Sequence, residues 1–114
     1  MDEEIPFVVN LKKGDKYQSL LRGKPQTKGM RAGRIFLLPG QDCGQHSTNG
    51  NEEILVFLAG EGEVITDKSI PLLVGAGRIS YIPSETIHNV RNTGDQPLIY
   101  IYCVAPVNKE KSGL

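Results

Sequence analysis

The sequence predicts an all-β fold, a sandwich or barrel of short strands with little or no helix. Its 114 residues include 13 glycines and 7 prolines, and both residue types disfavour helix interiors. The longest stretch without either is the ten residues 84–93. That length excludes a coiled coil, and it excludes a membrane-spanning helix of about 18 or more apolar residues. Short segments separated by regular turn formers are typical of β-sandwiches and barrels.

The length and charge of the chain further limit the kinds of protein that it can be. A chain of this length usually makes one domain, and no linker interrupts it, so residues 1–114 are expected to form a single domain. Thirteen Lys and Arg residues balance thirteen Asp and Glu residues. Nucleic-acid binders usually carry a basic surplus, so the composition argues against a nucleic-acid partner.

The first strands are expected where apolar residues run between turn formers. Residues 1–29 predict two edge strands, from the apolar run 7–11 and the mixed stretch that follows it. The next strand covers residues 31–38 and ends at Pro39-Gly40. Residues 41–51 are dense in turn formers and predict a loop.

Residues 53–59 (EILVFLA) are the strongest strand candidate, because aliphatic and aromatic side chains predominate. Alternation places Glu53 on one face, with Leu55 and Phe57. The opposite face is wholly apolar: Ile54, Val56 and Leu58. Both faces are therefore expected to be covered. A carboxylate on such a dry face is costly unless it is paired or bound to a cation.

Short strands continue to the end of the chain. Residues 63–66 and 69–74 predict a hairpin, whose second strand contains Pro71 and so favours a sheet edge. Further strands are expected at 78–82, 88–92 and 98–104, with a polar, disordered tail over 106–114.

The two cysteines, Cys43 and Cys103, show no CxxC or disulfide-rich spacing. The acidic N-terminus lacks the layout of a secretory signal. We therefore expect a reducing, cytoplasmic setting in which both thiols are free.

The sequence contains only two histidines, His46 and His88, each where a turn-rich stretch meets a strand. A single histidine in a loop is more often a surface residue than a ligand. Two histidines and a carboxylate facing one cavity, however, suit a divalent metal ion, and Glu53 supplies the carboxylate.

The spacing around these residues resembles the two motifs of the cupin family. The first, G-x5-H-x-H-x(3,4)-E-x6-G, is followed over residues 40–60 at four positions: Gly40, His46, Glu53 and Gly60. The second, G-x5-P-x-G-x2-H-x3-N, is followed over residues 77–92 at four positions: Gly77, Pro83, His88 and Asn92. Eight of the ten motif positions therefore match.

This resemblance implies a double-stranded β-helix, or jelly-roll barrel, that holds Fe, Mn, Zn or Ni. By position, the metal ligands would be His46, Glu53 and His88. Dioxygenase, isomerase or epimerase chemistry on a small molecule would fit this resemblance. No general base lies in either motif, so no catalytic residue is assigned. The alternative is a non-enzymatic or metal-free cupin that binds a sugar-like or acidic ligand.

Two positions depart from the motifs. Thr48 replaces the second histidine of the first motif, and its hydroxyl would bind metal weakly, hydrogen-bond a metal-bound water, or do neither. Gln45 and Cys43 are candidate replacement ligands. Glu85 replaces a glycine, which predicts a solvent-facing turn with φ below zero. The alternative for Glu85 is an acid that acts on substrate at the barrel mouth.

Three further polar residues have two interpretations each. Arg34 is expected on the strand surface, and its alternative is a clamp for an anionic substrate inside the barrel. Tyr100 and Tyr102 share a strand face, which lines a pocket or packs at an interface.

The resemblance also implies a homodimer, since cupins commonly dimerise by packing sheets and exchanging N-terminal strands. The apolar face of residues 54–58 is consistent with this expectation, because it is too apolar to remain wet.

Overall fold

The computed structural model describes residues 5–14 and 16–108. These residues form nine strands and no helix: β1 (Tyr17–Arg22), β2 (Arg31–Leu37), β3 (His46–Ser47), β4 (Asn51–Ala59), β5 (Glu61–Thr66), β6 (Leu72–Gly75), β7 (Ile79–Ile82), β8 (Ile87–Asn92) and β9 (Leu98–Pro106). The all-β prediction is confirmed. Nothing in the described ranges is a helix long and apolar enough to span a membrane.

The strands form two antiparallel sheets. One has five strands in the order β1-β2-β9-β4-β7, and the other has four in the order β3-β8-β5-β6. The core lies between them and consists of nine buried side chains: Leu37, Leu55, Phe57, Val64, Val74, Ile82, Val90, Leu98 and Tyr100.

The predicted strands agree with the structure except near the N-terminus and around Pro71. The loop predicted over residues 41–51 also contains a strand, the two-residue β3 that carries His46. Residues 7–11 form no strand, because this segment is held by a side chain instead of a ladder. The side-chain amide of Gln18 donates through Nε2 to the Asn10 carbonyl, and its Oε1 accepts from the backbone N–H of Lys12. Only the second predicted strand of this region exists, as β1 at a sheet edge.

The strand predicted over residues 69–74 begins only at Leu72. Pro71 has no N–H to donate to a ladder, and the Ser69 hydroxyl bonds with that of Thr66, the last residue of β5. As its proline predicts, β6 lies at the edge of its sheet.

The C-terminal strand runs further than the sequence indicates. β9 extends to Pro106, and the Val107 amide donates to the Gly50 carbonyl. Residues 109–114 lie outside the described residues, so the disorder of the tail stays a prediction.

The alternation along β4 is confirmed on its inner face, where Leu55 and Phe57 are 1% exposed and Glu53 is 7% exposed. The outer face differs from the expectation. Ile54 is 36% and Leu58 is 45% exposed, so no part of the described chain fully covers this face.

The motif residues other than His46, Glu53 and His88 shape the turns. Gly40, Gly60 and Gly77 all have φ near +85°, a conformation that favours glycine. Asn92 is 1% exposed. Its amide donates to the carbonyls of Leu37 and Gln96, so it fastens β8 to two other segments.

Comparing Gly60 with Gly40 separates two energetic costs of adding a side chain: that of the left-handed backbone conformation and that of steric overlap with neighbouring atoms. At Gly60 an added Cβ would collide with the Pro97 carbonyl oxygen, whereas at Gly40 it would meet nothing within 4 Å. We expect Gly60→Ala to lower the free energy of unfolding by about 3 kcal/mol, and Gly40→Ala by only about 1 kcal/mol. Urea denaturation measures both, and equal losses would contradict the crowding at Gly60.

Candidate metal centre

The two sheets bring His46, Glu53 and His88 together. One ligand atom from each lies within 4.8 Å of the others. The β3–β8 ladder places His46 directly opposite His88, and their ring centroids are 4.3 Å apart. Glu53 comes from β4, in the facing sheet. The group therefore bridges the sheets at one end of the core.

Backbone carbonyls orient both imidazoles. The His46 Nδ1 lies 2.8 Å from the Gly44 oxygen, and the His88 Nδ1 lies 3.2 Å from the Thr86 oxygen. Because a carbonyl only accepts, Nδ1 carries the hydrogen in each ring, and Nε2 is the nitrogen left for another partner. Metal-bound histidines are usually oriented by a hydrogen bond of this kind.

The closest contact in the group joins His88 Nε2 to Glu53 Oε1 at 3.1 Å. Two ligands at right angles around an ion about 2.1 Å away are about 3.0 Å apart, so this separation suits shared coordination. Both side chains are buried. Burial alone lowers the pKa of His88, but its hydrogen bonds to Glu53 and Thr86 and the charges of Glu53 and Asp67 raise it overall.

An open cavity of about 440 Å³ adjoins this group. His46 and Glu53 line it, while His88 lies behind them and is 2% exposed. His46 is exposed, so the group is buried at its glutamate end and accessible at its His46 end.

Thr48 lies beside this group, but its hydroxyl is engaged elsewhere. Thr48 Oγ1 donates to the Pro83 carbonyl at 2.7 Å and accepts from the Thr86 amide at 3.0 Å. Of the three roles considered for Thr48, this geometry favours the one without a metal: the hydroxyl holds the turn that precedes His88.

The expectation for the Glu85 backbone was wrong. Its φ is 55°, in the left-handed region, although its side chain is exposed as expected. The turn is held by its neighbours, since the Glu85 amide donates to the Asn49 carbonyl at 2.8 Å and Thr48 binds both flanks. Such tertiary bonds impose a conformation that a non-glycine residue adopts only at some cost.

The two candidate replacement ligands, Gln45 and Cys43, lie in different positions relative to the cavity. Gln45 is exposed and is not among the residues that line the cavity. Cys43 does line it, but its thiol donates to the Asn89 side chain at 3.4 Å. Both cysteines are free.

Arg34 fits neither of its predicted roles. It is 2% exposed, so it is not a surface residue. The neighbouring Gly33 faces the Tyr102 ring, and strand alternation therefore directs Arg34 to the other side of the sheet. There its Nε donates to Gln18 Oε1 at 3.4 Å, away from the cavity.

Both C-terminal tyrosines face inward. Tyr100 and Tyr102 line the cavity, and burial is the largest cause that raises the pKa of each. The wall on this side consists of six side chains: Tyr17, Arg31, Ile35, Tyr100, Tyr102 and Val104.

The sequence analysis missed Arg31 and Tyr17. Arg31 shares strand parity with Ile35 and the buried Leu37, so alternation along β2 was a usable signal for it. No sequence signal pointed to Tyr17, because its place depends on the register between β1 and β2.

Residues 33–104 match the Cupin domain family. This match covers more than half of the chain, which therefore belongs to the cupin family, as its two motifs predicted.

Particular relatives are similar over different lengths. Protein SchB of Streptomyces halstedii is 30% identical over 109 residues, which are 92% of this chain and 75% of SchB. The oxalate-binding protein of Thermotoga maritima is 34% identical over 68 residues, which are 60% of this chain and only 55% of that protein.

A solved structure is similar in fold. The RmlC-like cupin family protein of Methanocaldococcus jannaschii, a double-stranded β-helix, has a TM-score of 0.72 at 20% identity. The match covers 96% of this chain and 99% of that one.

The role of Thr48 is testable by stability. We expect Thr48→Val to lower the free energy of unfolding by about 1–3 kcal/mol, because the Thr86 amide would be left buried without a partner. Thr48→Ser is the matched control, since it keeps the hydroxyl and loses one methyl group, worth about 1 kcal/mol. Urea denaturation compares them. A Val variant at least as stable as the Ser variant would contradict this role.

Proposed function

We propose that this cupin binds one divalent metal ion, Fe, Mn, Zn or Ni, through His46, Glu53 and His88, and a small molecule in the adjoining cavity. The observation that carries the proposal is the orientation of both imidazoles. Each has Nδ1 on a backbone carbonyl, so Nε2 is the ring nitrogen that can bind an ion. The Nε2 of His88 already lies beside Glu53, the third member of the group. Two histidines and one carboxylate leave coordination positions open for water or substrate.

The chain's own residues would each contribute a separate property. Glu53 offsets the positive charge of an ion in a buried position, and His46 places the accessible side of the group in the cavity. Tyr100 and Tyr102 add hydrogen-bond donors, and Ile35 and Val104 add apolar surface. A bound divalent ion supplies Lewis acidity or, when it is redox-active, oxygen activation. We propose dioxygenase or isomerase-type chemistry, with no base assigned.

A second candidate function is metal-free binding of a small acidic molecule. The contact that favours it is the pair formed by His88 and Glu53 at 3.1 Å, since a protonated His88 satisfies the buried carboxylate without an ion. The name of the Thermotoga relative, an oxalate-binding protein, supports a small acid as ligand under either function.

Metal binding is tested on Glu53, with its neighbour Glu52 as the control. Glu52 is exposed and accepts a hydrogen bond from Tyr81, so it lies outside the group. We expect untagged protein and the Glu52→Gln variant to hold about one divalent ion per chain by elemental analysis, and Glu53→Gln to hold almost none. Added ion at about 100 times its Kd should stabilise the first two by about 2.7 kcal/mol.

Two results would contradict the proposal that the protein binds a metal ion. One is a parent protein with neither bound metal nor a thermal shift with any of the four ions. The other is a Glu53→Gln variant with the metal content of the parent. The first result would favour the metal-free function.

We also propose a homodimer formed through the outer face of β4 and β7. In this ladder Ile54 is opposite Tyr81, and Val56 is opposite Ile79. Ile79 is 65% and Tyr81 is 59% exposed. A contiguous apolar face of this kind marks an interaction site, and a two-fold axis would let the same face cover itself. The formal net charge of zero adds no repulsion between copies.

The dimer is tested by sedimentation velocity. We expect the parent at twice the 12.5 kDa of one chain and Ile79→Lys as a monomer, because a charge would be buried without a partner. Ile70→Lys is the matched control. Ile70 is 81% exposed and lies outside this face, so its variant should sediment like the parent. A monomeric parent at working concentration would overturn the proposal.

We also propose a cytoplasmic location, on the ground of the two free cysteines. Cys43 and Cys103 are free and only half-buried, and a reducing compartment keeps such thiols reduced.

A further inference from the structure

The cavity has a second polar surface, formed by Tyr17, Tyr102 and Arg31. The Tyr17 and Tyr102 hydroxyls are 2.9 Å apart, and their rings stack with centroids 6.5 Å apart and 16° between planes. These tyrosines come from β1 and β9, which are not neighbours in the sheet, and both line the cavity.

Gly33, on the intervening strand β2, makes this pairing possible. It lies opposite Tyr102 in the β2–β9 ladder. A Cβ at this position would come within 2.6 Å of the Tyr102 ring, closer than side chains pack. The absent side chain therefore lets the Tyr102 ring lie across β2 and reach Tyr17.

The hydroxyl pair has a donor to spare. In a hydrogen bond between two hydroxyls one O–H is used and the other is not. Burial and the bond to Tyr17 raise the pKa of Tyr102, while the charge of Arg31 opposes this rise. The Tyr102 hydroxyl therefore stays protonated at neutral pH. Since only one hydrogen is used between the two oxygens, the pair can offer the other to an acceptor in the cavity.

Arg31 supplies a positive charge at the same wall. Within residues 5–14 and 16–108 its side chain has no ion pair or hydrogen bond, and it lines the cavity. Glu53 is the one carboxylate among the described lining residues, and it contacts His88. The guanidinium is thus available to an anion that enters from outside.

The wall also carries apolar surface beside these polar groups, whereas Ser47, Thr48, Asn49 and Asn51 line other parts of the cavity. Ile35, Val104 and the face of the Tyr102 ring line the cavity beside these polar groups. Its volume of about 440 Å³ lies in the range of sites for organic molecules, about 300–1,000 Å³, and is far larger than a molecule such as oxalate needs.

We infer that Arg31, Tyr17 and Tyr102 form the carboxylate-binding wall of this cavity, and that its ligand is an organic acid with a flat apolar body. The carboxylate accepts from Arg31 and the free tyrosine hydroxyl, and the body packs on Ile35, Val104 and the Tyr102 ring. This inference rests on the proposed function only in placing the ligand in the cavity beside His46, Glu53 and His88.

Calorimetric titration with benzoate tests this wall, with benzamide as its neutral counterpart and oxalate as its small one. The proteins are the parent, Arg31→Gln, Tyr102→Phe and the control Arg91→Gln, each with and without added Mn²⁺. Arg91 is also an exposed strand arginine, but it lies outside the cavity. Metal content is measured in parallel.

We expect the parent to bind benzoate at least tenfold more tightly than benzamide or oxalate. Arg31→Gln should lose about 10- to 100-fold in benzoate affinity, the range for a hydrogen bond to a charged group, and Tyr102→Phe about tenfold. Arg91→Gln should match the parent, and none of the variants should change in metal content.

Three results would overturn the inference: no benzoate binding by the parent, equal affinity for benzoate and benzamide, or an Arg31→Gln variant within twofold of the parent. Tighter binding of oxalate than of benzoate would contradict the inference that the ligand has an apolar body. If benzoate binding depends on Arg31 while the parent takes up no metal, the wall is supported and only the proposed metal site fails.

Discussion

The burial of the Glu53 carboxylate is the constraint around which the candidate metal centre is arranged. A charge in this position is stable only with a partner, and His88 provides one from the opposite sheet. The Thr86 carbonyl fixes the His88 ring, and the Thr86 amide is in turn held by the Thr48 hydroxyl. A continuous series of hydrogen bonds thus runs from a loop at the edge of the barrel to a carboxylate in its interior. Thr48, where the motif has histidine, belongs to this series.

The two sheets contribute different chemistry to the His46–Glu53–His88 group and the cavity beside it. The four-stranded sheet supplies both imidazoles through the short β3–β8 ladder. The five-stranded sheet supplies the acid, the tyrosines and Arg31. The site therefore exists only when the sheets are packed, and the hydrophobic residues between them, such as Leu55 and Phe57, determine its geometry as much as the polar residues do.

Much of this architecture could be predicted from local patterns. The motif spacing located His46, Glu53 and His88, and alternation along β4 placed Glu53 on the buried face with Leu55 and Phe57. The failures share a cause, because each depended on a distant segment. The φ of Glu85 is imposed by bonds to residues 48 and 49, and Arg34 is buried on a sheet face that the motifs do not describe. Residues 7–11 have strand-like composition, but the Gln18 side chain holds them where a ladder was expected.

Tyr17 connects the cavity to the edge of the five-stranded sheet. It belongs to β1, the outermost strand of its sheet, and its hydroxyl is bound to Tyr102 inside the cavity wall. Exposed edge strands are where sheets detach and join other molecules, and local opening of a protein begins in its least stable elements. A molecule held by the tyrosine pair would fasten this strand to its sheet. A ligand in the cavity would therefore also protect the sheet edge against pairing with other chains, through the single side chain of Tyr17.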